Sequence, residues 1–215
     1  MQTILLTGAG GGIGSATKVA LEAAGARVIG IDRRDADLSS YEDIEKLEKK
    51  IAGEGVLLDW IIFAHGFIDA EGTVEKELPE DIAATLQLNI TAIAYFAKLF
   101  LVHLKPGGGM VALSSTAALT ANGHHAVYSA SKGAVNVFMQ ALARNRPELS
   151  FFSVCPGPTN TPMREKIAND AKTSQPPSTV ANLIAQLVSG TGGYKSGDII
   201  VVRDGALSVA GGISS

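Results

Sequence analysis

The chain has 215 residues, 46% of them hydrophobic and 18% charged, with a formal net charge of -3. That length fits one domain with a single substantial core, and the balanced charge argues against polyanions, nucleic acid among them, as partners. No apolar run approaches the roughly 18 residues of a membrane span, no basic leader precedes Thr3, and the single cysteine, Cys155, permits no internal disulfide. A cytoplasmic protein is expected.

Thr3 to Thr7 is a short continuous apolar run, the pattern of a strand covered on both faces, and it ends at T-G-A-G-G-G-I-G. Beyond the glycines, Ile13, Ala16, Ala20, Ala23 and Ala24 recur at helical spacing as far as Gly25, a C-terminal cap. Ala26 to Ile31 is a second strand, closed by Asp32. Strand, glycine-rich turn, helix, strand and acid make a dinucleotide-binding unit.

Glycine is required in the turn because backbone must approach a pyrophosphate, whose charge the amides at the helix N-terminus accept. G-x-G-x-x-G does not fit. T-G-x-x-x-G-x-G does, with Gly8, Gly12 and Gly14 in register and Gly11 and Ile13 in the same turn, and no G-K-[ST] of a P-loop follows. Asp32, 18 residues after Gly14, can accept from both adenosine ribose hydroxyls and would repel a 2′-phosphate, which favours NAD(H). Arg33 and Arg34 beside it keep NADP(H) open.

Ala36 to Leu38 reads as a stub of strand, Ser40 caps a helix running to about Ala52, and Val56 to Ala64 is a strand ending A-H-G. His65 then lies beside the cofactor, as a contact or as a spectator; Trp60 is core. Pro79 opens a helix running to about Leu104, with Ile82, Leu86, Ile93, Ala97 and Leu101 facing inward. Asn89 falls on that apolar stripe, and a buried amide needs partners. Lys105 to Gly109 breaks the chain before a strand, Met110 to Ser114, that delivers Ser115 at its carboxyl end, where open parallel sheets bind ligands. Phe151 to Cys155 is the next strand, closed by P-G-P-T-N-T-P. A helix-and-loop excursion from Met163 to Gly190 precedes the last strand, Asp198 to Val202. Cys155 reads as a small buried residue, and residues 1–215 form one domain without repeat or linker.

Tyr128 and Lys132 are four residues apart in a helix and so share a face. Lys132 is the only charged side chain between Val127 and Ala143, and a buried ammonium must be paired or used. Held about 4 Å from the Tyr128 hydroxyl, it would favour phenolate by roughly 4 kcal/mol at an effective dielectric near 20, or about three pKa units. The expectation is a tyrosine able to act as acid and base near neutral pH.

The combination of T-G-A-G-G-G-I-G at 7–14, Asn89, Ser115, Y-S-A-S-K at 128–132 and P-G-P-T-N-T at 156–161 resembles the short-chain dehydrogenase/reductase family along nearly the whole chain. The resemblance implies an α/β fold, a Rossmann-type doubly wound parallel sheet of about seven strands with helices on both faces. It implies a catalytic set of Asn89, Ser115, Tyr128 and Lys132. In that set Tyr128 exchanges a proton with the carbonyl or alcohol oxygen, and Ser115 holds that oxygen. Lys132 binds the nicotinamide ribose and lowers the tyrosine pKa, and Asn89 holds a water between Lys132 and solvent. It also implies Asp37 and Leu38 at the adenine, Ala64 and Gly66 near the adjacent ribose, and Pro156, Gly157, Thr159 and Thr161 around the nicotinamide, with no residue assigned to a metal.

The chain departs from the family at several points. It is shorter than most members and lacks a helix after the second strand; N-N-A-G reads F-A-H-G; Thr159 stands where valine is common. The segment after Thr161 is brief, which predicts an open substrate pocket, with His124 and His125 at its entrance.

The expected function is therefore an NAD(P)-dependent oxidoreductase, NAD preferred, moving hydride between nicotinamide and a small-molecule secondary alcohol or ketone. The alternative is a non-catalytic NAD(H)-binding sensor or scaffold on the same fold, against which the intact catalytic set argues. Enoyl reductases of the family space their Tyr and Lys more widely, and nucleotide-sugar epimerases carry a longer C-terminal region, so both rank below. The resemblance further implies a homodimer or homotetramer built on the helices at 79–104 and 127–146, with Phe96, Phe100, Phe138 and Met139 as the apolar contact, and no membrane partner.

Overall fold

The computed structural model describes residues 1–69, 72–121, 123–168, 170 and 173–213. Seven strands form one sheet: β1 Thr3–Thr7, β2 Arg27–Ile31, β3 Leu58–Phe63, β4 Leu104–Leu113, β5 Ser150–Pro156, β6 Ile199–Arg203 and β7 Ala206–Gly211. Their order is β2-β1-β3-β4-β5-β6-β7. The first six run parallel, and the chain leaves β1 toward one side of the sheet for β2 and returns to its other side for β3. A crevice opens at such a reversal, at the carboxyl ends of the strands.

Alternating side chains divide the core into two layers. Leu5, Ile61, Phe63, Met110 and Phe151 face α2 (Tyr41–Gly53), α4 (Ala92–Phe100) and α6 (Ala126–Asn145). Ile4, Leu6, Ile62, Val111 and Val154 face α1 (Gly12–Ala23) and α8 (Pro177–Val188). A strand covered on both faces has no polar side to show, which explains the unbroken apolar run Ile4 to Leu6 in β1. Ser40 caps α2 as expected, its hydroxyl accepting from the Asp43 N–H at 3.3 Å.

The structure revises five expectations. The last strand is not the one at Asp198 to Val202 but a further one, β7; it runs antiparallel to β6 across a tight turn at Asp204 and Gly205, both with positive φ, and Asp-Gly between two strands is the sequence signal for it. Ala36 to Leu38 is not a strand, since Ala36 and Leu38 are drawn into the core cluster under α2. Lys105 to Gly109 does not end the chain's extended run but bulges within β4: Leu58 faces Leu104 whereas Trp60 faces Gly109. A Cβ at Gly109 would lie 1.8 Å from the Ser150 carbonyl oxygen, so glycine there serves close strand approach.

The helix expected from Pro79 to Leu104 is interrupted. α3 (Pro79–Leu86) passes into one π-helical turn, Gln87–Thr91, before α4, and Leu101–His103 is a 3-10 turn. The stretch Pro79–His103 is long and apolar enough to cross a bilayer, although Glu80, Asp81 and Lys98 keep it from being one unbroken apolar run. Its Ile93, Phe96, Ala97 and Phe100 are nonetheless buried against the sheet. That burial overturns the fifth expectation: Phe96, Phe100 and Met139 are core residues, 0–1% exposed, and do not form an outer contact. Phe138 is partly buried and packed against the same core, and among the described residues of α6 the large apolar side chain turned outward is Val137, 67% exposed.

Candidate active site

Most of the predicted site residues follow a strand at the carboxyl edge: Gly8 to Gly14 after β1, Asp32 after β2, Ala64 and Gly66 after β3, Ser115 after β4, and Gly157 to Thr161 after β5, whose last residue is Pro156. α6 brings Tyr128 and Lys132 across the same edge. The Ser115 hydroxyl neighbours that of Tyr128 and holds its pKa down against the effect of burial. Lys132 is 4% exposed, and its Nζ lies 5.9 Å from the centroid of the Tyr128 ring.

Lys132 is held at both ends by the tip of β4. Its Nζ donates to the Leu113 carbonyl at 2.8 Å, and its own carbonyl accepts from Ser114 Oγ at 2.9 Å. Burial pulls its pKa down from 10.5 to about 8. The expected depression of the tyrosine is not found: burial pushes the Tyr128 hydroxyl above its ordinary value, and the neighbouring Ser115 hydroxyl offsets this only in part. The reason is geometric, since the ammonium is turned to a backbone carbonyl. Cys155 is fully buried and its thiol is likewise pushed up by burial, which makes it the inert residue expected.

Asn89 sits in the π-helical turn, fully buried. Such a turn widens the helix by one residue and recurs at functional sites. The Asn89 side chain spans one residue of the loop after β3: Oδ1 accepts from the Phe67 N–H at 2.8 Å, and Nδ2 donates to the Phe67 carbonyl and to Ser131 Oγ, each at 2.9 Å. Both amide protons are therefore used within the protein, and the side chain acts as a clamp between the loop and α6. A Cβ placed on Gly66 would lie 3.1 Å from Asn89 Oδ1 and 3.3 Å from Lys132 Nζ, so that glycine lets the clamp and the lysine flank one point. Ser131, not singled out in the sequence, completes the clamp by donating to the Tyr128 carbonyl at 2.7 Å.

His65 points inward. Its Nδ1 pairs with Thr7 Oγ1 at 2.6 Å, and among the described residues its buried Nε2 has no hydrogen-bond partner. Burial first, and the Lys132 charge second, push its pKa down to about 3, so the ring is neutral. Of the entrance pair, His124 is exposed and His125 is half-buried at the N-cap of α6, its pKa lowered by burial. The segment after Thr161 begins with one short helix, α7 (Pro162–Ile167), capped by Thr161 Oγ1 and tied by a two-pronged pair between Arg164 and Asp170 at 2.6 and 2.7 Å.

The glycine turn fits a dinucleotide. Gly8 has a φ of 68°, and a Cβ there would meet the His65 backbone N at 2.6 Å. The N-terminus of α1 carries no side-chain cap, which leaves its amides for an anion. A Cβ at Gly10 would stand 2.0 Å from Asp32 Oδ2, and one at Gly12 2.6 Å from Thr161 Cγ2. The turn thus touches the acid after β2 on one side and the loop after β5 on the other, as a ligand with an adenosine end and a nicotinamide end requires. Gly14 is needed for another reason, because its Cβ would fall 1.9 Å from the Gly8 carbonyl oxygen; it permits the turn itself. Asp37 is exposed and its Oδ1 takes the Ser39 N–H and hydroxyl at 2.9 and 2.7 Å, while Leu38 is 7% exposed and packed in the core. The Leu38 side chain is therefore turned away from any adenine.

A family model described as enoyl-(acyl carrier protein) reductase matches residues 34–206. Versicolorin reductase 1 of Aspergillus parasiticus is 28% identical, covering 95% of this chain and 96% of its own length. A crystal structure of 3-ketoacyl-(acyl-carrier-protein) reductase from Brucella melitensis, complexed with NADH, superposes with a TM-score of 0.85 at 21% identity, covering 94% of this chain and 96% of that one. A short-chain dehydrogenase from Burkholderia cenocepacia J2315 in complex with NADP gives 0.82 at 25% identity, with coverages of 94% and 96%. With the glycine turn, the edge-bound serine and the tyrosine–lysine helix in place, the chain belongs to the short-chain dehydrogenase/reductase family and is an NAD(P)-dependent oxidoreductase.

Proposed function

We propose that this oxidoreductase interconverts a secondary alcohol and a ketone with Tyr128 as general acid and base, and that it prefers NAD(H). The observation that carries the reading is the meeting of Ser115 and Tyr128 at the sheet edge, with Lys132 buried behind them and its Nζ 5.9 Å from the Tyr128 ring. A bound nicotinamide would supply or take the hydride, held by Gly8 to Gly14, Asp32 and the Gly157–Thr161 loop. Ser115 fixes the substrate oxygen, and Tyr128, held protonated by burial, is a donor ready for a carbonyl oxygen. Lys132, with a pKa of about 8, carries positive charge through much of the neutral range, and its ammonium would bind the hydroxyls of the nicotinamide ribose.

The NAD preference is supported by Asp32 Oδ2 lying against the glycine turn, where a 2′-phosphate would meet a carboxylate. Exposed Arg33 and Arg34 supply the opposing pull. We read the protein as a cytoplasmic homodimer or homotetramer; Val137 on α6 and Leu207 and Val209 on the open edge strand β7, 67%, 42% and 51% exposed, are the apolar groups assembly would cover.

The test is nicotinamide fluorescence titration with NADH and NADPH, then turnover against a panel of ketones and secondary alcohols. Tighter NADH binding is expected, with turnover that Tyr128→Phe lowers by about 10²–10⁴-fold while binding survives. Turnover that persists in Tyr128→Phe sinks the mechanism; NADH binding without turnover on any substrate turns the reading to a sensor.

A further inference from the structure

Gln175 lies outside every motif of the cleft, in the S-Q-P-P stretch before α8, and is 5% exposed. Its side chain is saturated. Nε2 donates to the Val202 carbonyl and to Thr159 Oγ1, each at 3.1 Å, with the Gly157 carbonyl at 3.4 Å sharing those protons, and Oε1 accepts from the Asp204 N–H at 3.0 Å. Its backbone joins the same loop: the Gln175 N–H donates to the Pro158 carbonyl at 3.1 Å and its carbonyl accepts from the Asn160 N–H at 2.9 Å. Thr159 Oγ1 passes its own proton to the Gly157 carbonyl at 2.9 Å, so it is free to accept from the amide.

The loop from Gly157 to Asn160 is thus held from behind by Gln175, against the turn between β6 and β7, and at its base by the Gly157 N–H, which donates to the Val202 carbonyl at 2.9 Å. Its base is joined to the catalytic strand end, where the Thr116 N–H donates to the Pro156 carbonyl at 3.0 Å, and its far end reaches Gly12 through Thr161. None of the partners of Gln175 belongs to the adenosine half of the cleft, formed by Gly8, Gly10 and Asp32. If the site needed only filling, an apolar side chain would serve without an amide to satisfy.

We propose that Gln175 is a positioning residue for the nicotinamide end of the cofactor, acting through Gly157 and Thr159. The inference rests on the cofactor reading above. Replacing the amide by Gln175→Leu strands the Asp204 N–H, takes the side-chain donor from Thr159 Oγ1 and leaves the Val202 carbonyl only the Gly157 N–H, which lets the loop drift with the adenosine half untouched. Affinity for NADH then falls about tenfold, whereas affinity for ADP-ribose, which has the adenosine diphosphate and ribose but no nicotinamide ring, stays within about twofold of wild type.

The experiment is a pair of titrations on wild type and Gln175→Leu, NADH by its fluorescence and ADP-ribose by calorimetry. Selective loss of NADH affinity supports the proposal. Equal loss of both ligands, or loss of neither, overturns it. A wild-type protein that binds neither ligand removes the cofactor reading itself, and this inference with it. If Gln175→Leu does not fold, the same two titrations on Gln175→Glu decide the question. That variant keeps the acceptor for Asp204 and places a carboxylate against the Gly157 and Val202 carbonyls, and it should regain NADH affinity as acid protonates it.

Discussion

Lys132 Nζ donates to the Leu113 carbonyl at 2.8 Å, so the charge of this lysine is anchored on the strand that leads to Ser115. Burial lowers its pKa from 10.5 to about 8. Below pH 8 both folded and unfolded chains hold the proton, and the folded state bears the whole penalty, about 3 kcal/mol. Between pH 8 and 10.5 the unfolded chain binds more protons, and stability rises with pH. Lys132→Met removes the penalty but leaves the Leu113 carbonyl without its donor, at about 1 kcal/mol. At pH 7 the variant should therefore melt about 2–8 °C higher than wild type while losing turnover, and the gap should close toward pH 10.5. A lower melting temperature at pH 7 would mean the hydrogen bond outweighs the buried charge.

His65 gives a second pH dependence, at the acid end. Its ring is neutral with a pKa of about 3 against an ordinary 6.5, so from pH 6.5 downward the unfolded chain takes up a proton that the folded chain refuses. Stability should fall steadily with acid across that window. His65→Asn, whose amide can still reach Thr7, should flatten the slope between pH 6.5 and 4 in urea titrations. An unchanged slope would assign acid sensitivity to other groups.

The glycines of the turn should separate by what their missing Cβ would meet. At Gly10 that is the free end of the Asp32 side chain, at 2.0 Å; at Gly14 it is the Gly8 carbonyl, at 1.9 Å. A side-chain end can swing aside and backbone cannot. Gly10→Ala should fold with a melting temperature within about 2 °C of wild type yet bind NADH about tenfold more weakly, with less effect on NADPH. Gly14→Ala should lose the turn and much of its soluble yield. Equal NADH affinity in Gly10→Ala would show that Asp32 does not hold the ribose.

The sheet and the family were legible because both leave periodic or ordered traces: apolar runs ending in glycine, and Ser115, Tyr128 and Lys132 in sequence. What stayed hidden depended on packing between distant segments. Lys132 looked like the neighbour of a phenolate until Leu113, 19 residues earlier, proved to hold its charge. Phe96 and Phe100 could have faced a partner or the sheet, since helical spacing marks an apolar face without saying what covers it. The π-helical turn at Asn89 has no residue signature, and Gln175 belongs to no pattern. Only β7 was missed despite a local signal, the Asp204-Gly205 pair.

The Asn89 clamp yields a quantitative test of that hidden packing. Nδ2 of Asn89 donates to Ser131 Oγ, which donates onward to the Tyr128 carbonyl, so the π-helical turn, the loop at Phe67 and the catalytic helix form one chain of hydrogen bonds. Asn89→Ala breaks three bonds and leaves the Phe67 N–H and carbonyl without these partners, and it should cost about 2–3 kcal/mol in urea denaturation. Ser131→Ala breaks two and should cost about 1 kcal/mol. Since the two share a bond, the double variant should lose less than the sum of the singles, by about 1 kcal/mol. Strict additivity would mean that the turn and α6 are held independently, and Asn89 would then be a loop clamp with no hold on Tyr128.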